Sequence, residues 1–241
     1  YCKKIKIDFI ITPFDLETIN FFKNKVKYFK ISSSDITNFP LIGKIAKTKK
    51  PIILSTGASS SNEIQGAVKL IRKYNKNLTL LHCILNYPTK RYDANLGMID
   101  DLQRKFKLPV GLSDHTHPKD SHDILLLSAM KNICMIEKHF TNDKSKKGND
   151  HFHSFDKSDL IKFNQKILDA RKIIGKQKKN FLRSEVVSRK NARRSLFYNK
   201  DLKKNSRIKN SDIISLRPAI GISPTLYKKV LKKKLKFNIK S

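Results

Sequence analysis

Two stretches of the sequence end in clusters of titratable side chains. PVGLSDH ends in Ser113, Asp114 and His115, and CMIEKH ends in Glu137, Lys138 and His139, each cluster following a short apolar run. If the two runs are neighbouring strands, the imidazoles of His115 and His139 lie close enough to share one divalent metal. Two imidazole ligands, completed by water and substrate oxygens, leave open positions for Lewis-acid chemistry. The pattern therefore predicts a metal site, and the lack of a thiolate beside these histidines disfavours structural zinc.

Hydroxyl and ammonium groups recur at the ends of the apolar runs, at Thr12, Lys30, Ser33, Ser55 and Ser113. Each can donate a hydrogen bond to an anionic oxygen, so together they predict a site for a phosphate or a carboxylate. Singly, each serine or threonine has a structural alternative, because these residues commonly cap the helix that follows. Their recurrence along the chain favours a shared binding site.

The remaining histidines are weaker candidates. His82 lies within an apolar run next to Cys83, which indicates a core or supporting position. The others lie in predicted loops or at helix starts: His117, His122, His151 and His153.

Short apolar runs alternate with helical segments along residues 1–175. The runs begin near six positions: Asp8, Tyr28, Pro51, Leu78, Pro109 and Cys134. The alternation predicts βαβ units and a parallel sheet, and the continuous hydrophobicity of the runs predicts strands covered on both faces. A dinucleotide-binding doubly wound sheet would carry GxGxxG after its first strand, and this motif is missing. We therefore predict a TIM (β/α)8-type barrel with about six of its eight units present. Because the chain begins with Tyr1 rather than methionine, we expect two units to precede it.

Two predicted helices have identifiable ends. In SNEIQGAVKLIRKYN, apolar residues recur at positions 64, 67, 68 and 71, and Ser60 with Glu63 forms a capping box at the start. A second amphipathic segment follows the last apolar run and ends at Gly175, a typical C-terminal cap.

The sequence changes character after residue 175. Residues 176–192 are basic and polar without a clear period, which predicts a linker. Residues 193–241 contain short β-like pieces broken by Asn, Asp, Gly and Pro. These pieces predict a small domain that is too short to bury a stable hydrophobic core by itself.

Composition excludes some classes of protein. The net charge of +32 is compatible with a module that binds nucleic acid or anionic surfaces, centred on residues 176–209 and 228–240. Lysine is scattered among Asn and Ile, so we interpret the basic excess as solvated surface without specific nucleic-acid function.

No apolar run approaches the roughly 20 residues of a membrane span. Cys83 and Cys134 lie in apolar runs, which indicates buried, reduced thiols in a cytoplasmic protein.

Several motifs, taken together and in order, carry a family resemblance. They are KISSSDITNFPLIGKIAKTKKPIILSTG, LLHCILNYPT, GLSDHT, EKHFT followed by GNDHFHS, and finally ARRS and RPAIGISP. The chain resembles the sialic acid (N-acetylneuraminate) synthases, a group that includes legionaminate and pseudaminate synthases. The resemblance runs from ITPFD at Ile11 into the C-terminal region. It implies a TIM barrel followed by a small antifreeze-like (SAF) domain of β-clip type.

The resemblance also implies an activity, the condensation of phosphoenolpyruvate with an N-acetylmannosamine-like aldose to give a nonulosonic acid and phosphate. It implies a divalent metal, typically manganese with magnesium or cobalt as alternatives, held by His115 and His139. The residues matching the phosphoenolpyruvate site are Thr12, Lys30, Ser33, Ser55 and Ser113. Those matching the sugar site are Asp35, Tyr87, Asp150 and Arg217. In such enzymes the arginine reaches into the partner's barrel, which implies a domain-swapped homodimer.

The chain departs from this pattern in three respects. Asp35 stands where some relatives have glutamate, and Leu85 where some have asparagine. The family's catalytic glutamate and a second phosphate-binding lysine lie on first strands that this chain does not contain. We therefore expect the chain as it stands to bind poorly and turn over little.

Other enzymatic functions fit the same residues. A metal-dependent aldolase on this barrel would use pyruvate in place of phosphoenolpyruvate. A Schiff-base aldolase using Lys30 or Lys138 is a further alternative, and it would be trapped by borohydride in the presence of pyruvate. The motifs are common to the whole group and do not single out one sugar acceptor.

Overall fold

The computed structural model describes residues 1–148, 150–176 and 178–240. The chain divides into two compact units, Tyr1–Gly175 and Lys176–Ser241. The predicted site residues other than Arg217 belong to the first unit.

The first unit is built on a six-stranded parallel sheet whose strand order follows chain order. The strands are β1 (Ile10–Ile11), β2 (Tyr28–Ile31), β3 (Ile52–Ser55), β4 (Leu78–Cys83), β5 (Val110–Asp114) and β6 (Ile136–Lys138). Each strand pairs in parallel with the next. A doubly wound sheet would reverse its strand order at a switch point, whereas the sequential order found here is that of a barrel wall. The unit is a partial TIM barrel, as predicted.

A helix follows each of these strands. The helices are α1 (Leu16–Phe22), α2 (Phe39–Lys47), α3 (Ser61–Tyr74), α4 (Gly97–Phe106), α5 (Pro118–Ala129) and α6 (Lys157–Ile174). All residues of β3 and β5 are buried, which agrees with the continuous apolar runs. Strand residues such as Phe29, Leu54 and Leu80 pack with helix residues such as Ile42 and Ile71 in the main core.

The predicted caps are confirmed. The Ser60 hydroxyl accepts a hydrogen bond from the Glu63 amide, and the Glu63 carboxylate accepts one from the Ser60 amide, so α3 begins with a capping box. Gly175 ends α6 with φ +62°, a conformation that favours glycine. The apolar face of α6 is only partly covered, because Phe163 is buried whereas Leu160 is 43% exposed.

The prediction that Cys134 is buried is wrong. Cys134 is exposed, whereas Cys83 in β4 is buried as expected. The apolar run begins at Cys134, but β6 begins only at Ile136 and its residues are only partly buried. Among the described residues β6 is the last strand in the order of the sheet and pairs only with β5.

The second unit is described by itself. It contains α7 (Val186–Ala192), an antiparallel pair formed by β7 (Ser195–Tyr198) and β8 (Ile213–Leu216), and α8 (Tyr227–Val230). Helix α7 lies within the segment predicted to be a linker. It is hydrogen-bonded to the rest of the unit, because the Lys190 carbonyl accepts a hydrogen bond from the Ala219 amide at 2.7 Å.

Within the described residues, no helix is long and apolar enough to cross a membrane.

Candidate active site

The predicted site residues of the first unit lie at or just beyond the carboxyl ends of the parallel strands, the end that carries the chemistry in barrels of this kind. We group most of them into two clusters. The anion cluster comprises Lys30, Ser33, Ser55, Ser113 and Glu137. The histidine cluster comprises Tyr87, His115, His139, Asp150 and His153.

The anion cluster joins side chains from strands that are far apart in the sheet. Lys30 Nζ in β2 lies 3.4 Å from Glu137 Oε1 in β6, and the Ser113 hydroxyl donates a 2.6 Å hydrogen bond to the same oxygen. Strands β2 and β6 are four positions apart, which would separate them by roughly 19 Å in a flat sheet. The contact is therefore made across the interior of a curled sheet, and it directs an ammonium and a hydroxyl toward one point.

A close approach of three strand ends shapes the middle of the anion cluster. The Ser33 hydroxyl accepts a hydrogen bond from the Gly57 amide at 2.9 Å. A Cβ atom at Gly57 would lie only 2.9 Å from Ser33 Oγ and 3.0 Å from Cys83 Sγ, so a larger residue does not fit without displacement. Burial raises the pKa of the Cys83 thiol, which keeps it neutral among these polar groups.

Two further predicted hydroxyls lie at the ends of β3 and β1. Ser55 is buried at the end of β3, and its hydroxyl has no hydrogen-bond partner among the described residues. A buried hydroxyl of this kind is available to a bound oxygen. Thr12 lies half-buried directly after β1.

His115 is buried just beyond β5 and is held in one tautomer. Its Nδ1–H donates a 2.9 Å hydrogen bond to the Ile84 carbonyl oxygen, which leaves the lone pair on Nε2. Burial, reinforced by the neighbouring His139, lowers the pKa of His115, while the bond to Ile84 opposes this shift. A neutral imidazole oriented by a carbonyl oxygen is typical of a metal ligand.

The loop after β4 brings Tyr87 against the histidines. The Thr89 amide donates to the His115 carbonyl at 2.9 Å, which ties this loop to the end of β5. The Tyr87 ring centroid lies 4.2 Å from that of His115, 5.8 Å from His139 and 5.6 Å from His153. Burial raises the pKa of Tyr87, so its phenol stays protonated near neutral pH.

The segment after β6 folds back and adds two more groups. The Phe155 amide donates to the His139 carbonyl at 2.9 Å, which places the preceding turn beside His139. Asp150 Oδ2 lies 3.4 Å from His139 Nδ1, and Asp150 Oδ1 lies 3.8 Å from His153 Nε2. Burial, together with the nearby His139, lowers the pKa of His153 to about 4.

This donor set suits a divalent ion. Among the described residues, His139, Asp150 and His153 offer ligand atoms that all lie within 4.8 Å of one another. Imidazole with carboxylate is a combination used by several first-row divalent metals. The ring of His115 lies 5.1 Å from that of His139, so the predicted pair is brought together, although this group of three shares only His139 with it.

A buried ion pair joins the residues that immediately precede His115 and His139. Lys138 Nζ lies 2.8 Å from Asp114 Oδ2, and the two side chains are 8% and 2% exposed. Asp114 also accepts hydrogen bonds from Thr116 and Ser121. Burial lowers the pKa of Lys138, whereas Asp114 opposes that shift. Since Asp114 precedes His115 and Lys138 precedes His139, the pair fixes the backbone of both.

Asp35 and Arg217, both predicted site residues, belong to neither cluster. Asp35 lies in a 3-10 turn after β2, where it accepts a 3.0 Å hydrogen bond from Asn38, the cap of α2. Arg217 is exposed directly after β8 in the second unit. Glu137 belongs to the last strand-end group in the sequence and His153 to the weaker histidine candidates, but neither was predicted to be a site residue; they lie in the resembling motifs EKHFT and GNDHFHS.

Comparison with known proteins identifies the family. The profile of the NeuB family matches residues 1–179, about three quarters of the chain. The chain belongs to the NeuB family. Among NeuB-like relatives, the N,N'-diacetyllegionaminic acid synthase of Campylobacter jejuni is 39% identical over 97% of this chain and 70% of its own length. The pseudaminic acid synthase of Helicobacter pylori is 32% identical over 96% of this chain and 68% of its own length.

A solved structure supports the NeuB assignment. The N-acetylneuraminic acid (sialic acid) synthetase from Leptospira borgpetersenii aligns with a TM-score of 0.70 and 36% identity. The alignment covers 77% of this chain and 65% of that chain. The chain therefore spans about two thirds of the length of these NeuB-type proteins.

Proposed function

We propose that this NeuB-family protein condenses phosphoenolpyruvate with an N-acetylated aldose, giving a nonulosonic acid and inorganic phosphate. One observation carries the proposal: an anion cluster and a histidine cluster lie side by side at the carboxyl ends of the strands. Cys83 links them, because its sulfur lies 3.9 Å from His115 Nδ1 and its neighbours include Ser33 and Ser113. The first cluster suits an anionic substrate and the second a metal with a sugar aldehyde.

The anion cluster is proposed to hold phosphoenolpyruvate. Lys30 and Ser113 both direct donors at Glu137 Oε1, so the same donors can converge on an anionic oxygen of the substrate. The unpartnered hydroxyl of Ser55 adds a buried donor, and Ser33 and Thr12 complete the set. Charge-assisted hydrogen bonds of this kind are stronger than neutral ones.

The histidine cluster is proposed to hold a divalent metal through His115 and His139, with manganese the expected ion. Such an ion supplies Lewis-acid polarisation of the sugar's open-chain aldehyde, toward which the enol carbon of phosphoenolpyruvate can be directed. The tautomer fixed by Ile84 presents His115 Nε2 as the ligand atom. Tyr87 and Asp150 lie around the same cluster and are positioned to contact sugar hydroxyl groups.

The second unit is proposed to be an SAF-type domain that acts in a homodimer. Its exposed Arg217 would then contact the N-acetyl sugar in the barrel of the partner subunit. A guanidinium suits that task because its donors have fixed geometry.

The test is a paired product assay on the full-length protein. Phosphoenolpyruvate is supplied with N-acetylmannosamine or with diacetamido sugars, and phosphate and 2-keto acid are measured in the same samples. We expect the two products to appear in equal amounts with at least one acceptor. Formation of the same keto acid from pyruvate without phosphate release would instead identify an aldolase.

A further inference from the structure

His153 is buried in a way that its protein surroundings do not explain. Its exposed fraction is 0%, and neither ring nitrogen has a hydrogen-bond partner among the described residues. Buried polar groups in folded proteins are nearly always satisfied, so an imidazole with two unsatisfied nitrogens calls for a further partner. The surrounding turn is itself well fixed, because the Ser154 hydroxyl donates to the Asp150 carbonyl at 2.5 Å and Thr141 is hydrogen-bonded to His151 at 2.7 Å.

The distances around Asp150 indicate what that partner is. The separations of 3.4 Å to His139 Nδ1 and 3.8 Å to His153 Nε2 are longer than hydrogen bonds. Ligand atoms at about 2.0–2.2 Å from one ion, subtending angles near 90–109°, lie roughly 2.8–3.6 Å apart. The observed separations are therefore close to those of donors that converge on one ion, and small rotations of the exposed Asp150 side chain would complete the fit.

We propose that His153 is a ligand, through Nε2, of the divalent metal that His139 also binds, with Asp150 as the carboxylate ligand between them in place of the sugar contact proposed above for that residue. The inference rests on the proposed function only in placing the metal at the histidine cluster. The resemblance implies a pair, His115 and His139, and His153 extends it with another imidazole. A site with several protein ligands binds its ion more tightly than two imidazoles alone and keeps fewer positions open for substrate oxygens.

The test measures metal binding directly, without turnover. The full chain is stripped with a chelator and titrated with Mn²⁺ by calorimetry and with Co²⁺ by visible absorption, which responds to the number of coordinating groups. We expect His153→Ala to raise the Kd for Mn²⁺ at least about 10-fold and to change the Co²⁺ spectrum. The matched control is His122→Ala, because His122 also has a buried, unpartnered Nδ1 but stacks on Phe155 outside the cluster.

A second variant separates a ligand from a packing residue. His153→Leu removes the unsatisfied nitrogens and keeps most of the volume, so we expect its unfolding midpoint in metal-free buffer to equal or exceed that of the wild type. Added Mn²⁺ should raise the midpoint of the wild type more than that of this variant. Equal Mn²⁺ affinity and an unchanged Co²⁺ spectrum in folded His153 variants would overturn the inference alone. A wild-type chain that binds no metal would overturn both this inference and the proposed metal site.

Discussion

Lys30 is a half-buried ammonium group, 18% exposed, whose ion-pair partner is the Glu137 carboxylate. That partner is itself only partly buried and shares the hydroxyl of Ser113. An anionic substrate that enters the cluster therefore meets a cation already oriented toward the interior of the barrel. We propose that Lys30 supplies the positive charge for substrate binding at this position.

We predict that Lys30→Ala raises the KM for phosphoenolpyruvate and leaves the KM for the sugar nearly unchanged. Loss of a charge-assisted contact worth about 1.5–3 kcal/mol corresponds to a rise of roughly 10- to 150-fold. Steady-state kinetics with each substrate varied in turn provide the measurement. Lys27→Ala is the control, because Lys27 pairs with Asp8 on the exposed surface. A rise in the sugar KM instead would mean that the two ends of the site are reversed.

Sequence patterns located most of these side chains but not the relations among them. The strand-end positions of Lys30, Ser113 and His115 follow from hydrophobic runs, which are local. Local patterns could not predict the role of His153, because its position depends on the segment after β6 folding back so that Phe155 pairs with Phe140. In the sequence it is only one of several loop histidines.

At the scale of elements, the junction between β3 and α3 depends on a glycine, which has no side chain. Gly57 lets Ser33 and Cys83 approach the backbone more closely than a Cβ atom allows. The sequence contains the glycine within the LSTG run, but the crowding around it arises from strands that are distant along the chain. Tertiary contacts of this kind leave no periodic signal.

We predict that Gly57→Ala lowers the free energy of unfolding by about 1–3 kcal/mol, the usual cost of overpacking. The same change should raise the KM for phosphoenolpyruvate, since Ser33 must move. Chemical denaturation and kinetics measure the two effects. Gly43→Ala is the matched control: its added methyl group meets nothing within 4 Å, and alanine favours the α2 helix by up to about 1 kcal/mol. Equal stability of the two variants would contradict the account.

The ends of β5 and β6 are joined by the buried Lys138–Asp114 pair. We predict that Lys138→Met lowers the free energy of unfolding by about 3–5 kcal/mol, because it leaves the Asp114 charge buried without its cation. Lys131→Met should cost at most about 1 kcal/mol, since Lys131 and Asp100 form a more exposed pair. Denaturant unfolding of both variants gives the comparison, and similar costs would show that burial of the first pair is unimportant.

Local signals predicted the elements well where a segment is covered on both sides. The capping box of α3 and the six strands follow from such signals. The prediction failed for Cys134, where an apolar run meets the edge of the sheet. Exposure at an edge depends on what lies beside β6 and is not encoded in the run itself.

At the scale of the whole molecule, the chain consists of a partial barrel and a small second unit. In the second unit, Arg217 follows β8 and is exposed. The net charge of +32 is spread through both units and is interpreted as solvated surface. The proposed dimer gives the second unit a role that its small size alone does not explain.

We predict that Arg217→Ala impairs use of the sugar while leaving phosphoenolpyruvate binding and dimerisation intact. In a swapped dimer, mixing this variant with His139→Ala and allowing subunits to exchange creates one site with an intact barrel and an intact arginine. Activity should therefore partly return in the mixture. Arg207→Ala, an exposed arginine of the same unit, serves as the control. A mixture that has exchanged yet stays inactive would mean that Arg217 does not act across subunits.

The central claim is that a divalent metal at the histidine cluster is required for condensation. The most direct measurement is phosphate release by chelator-stripped full-length protein, supplied with phosphoenolpyruvate and an accepted sugar, as Mn²⁺ is added. We predict no turnover without metal, recovery as the ion is restored, and a turnover number at least about 100-fold lower for His139→Ala at saturating metal. Full activity of the stripped protein in rigorously metal-free buffer would contradict the claim.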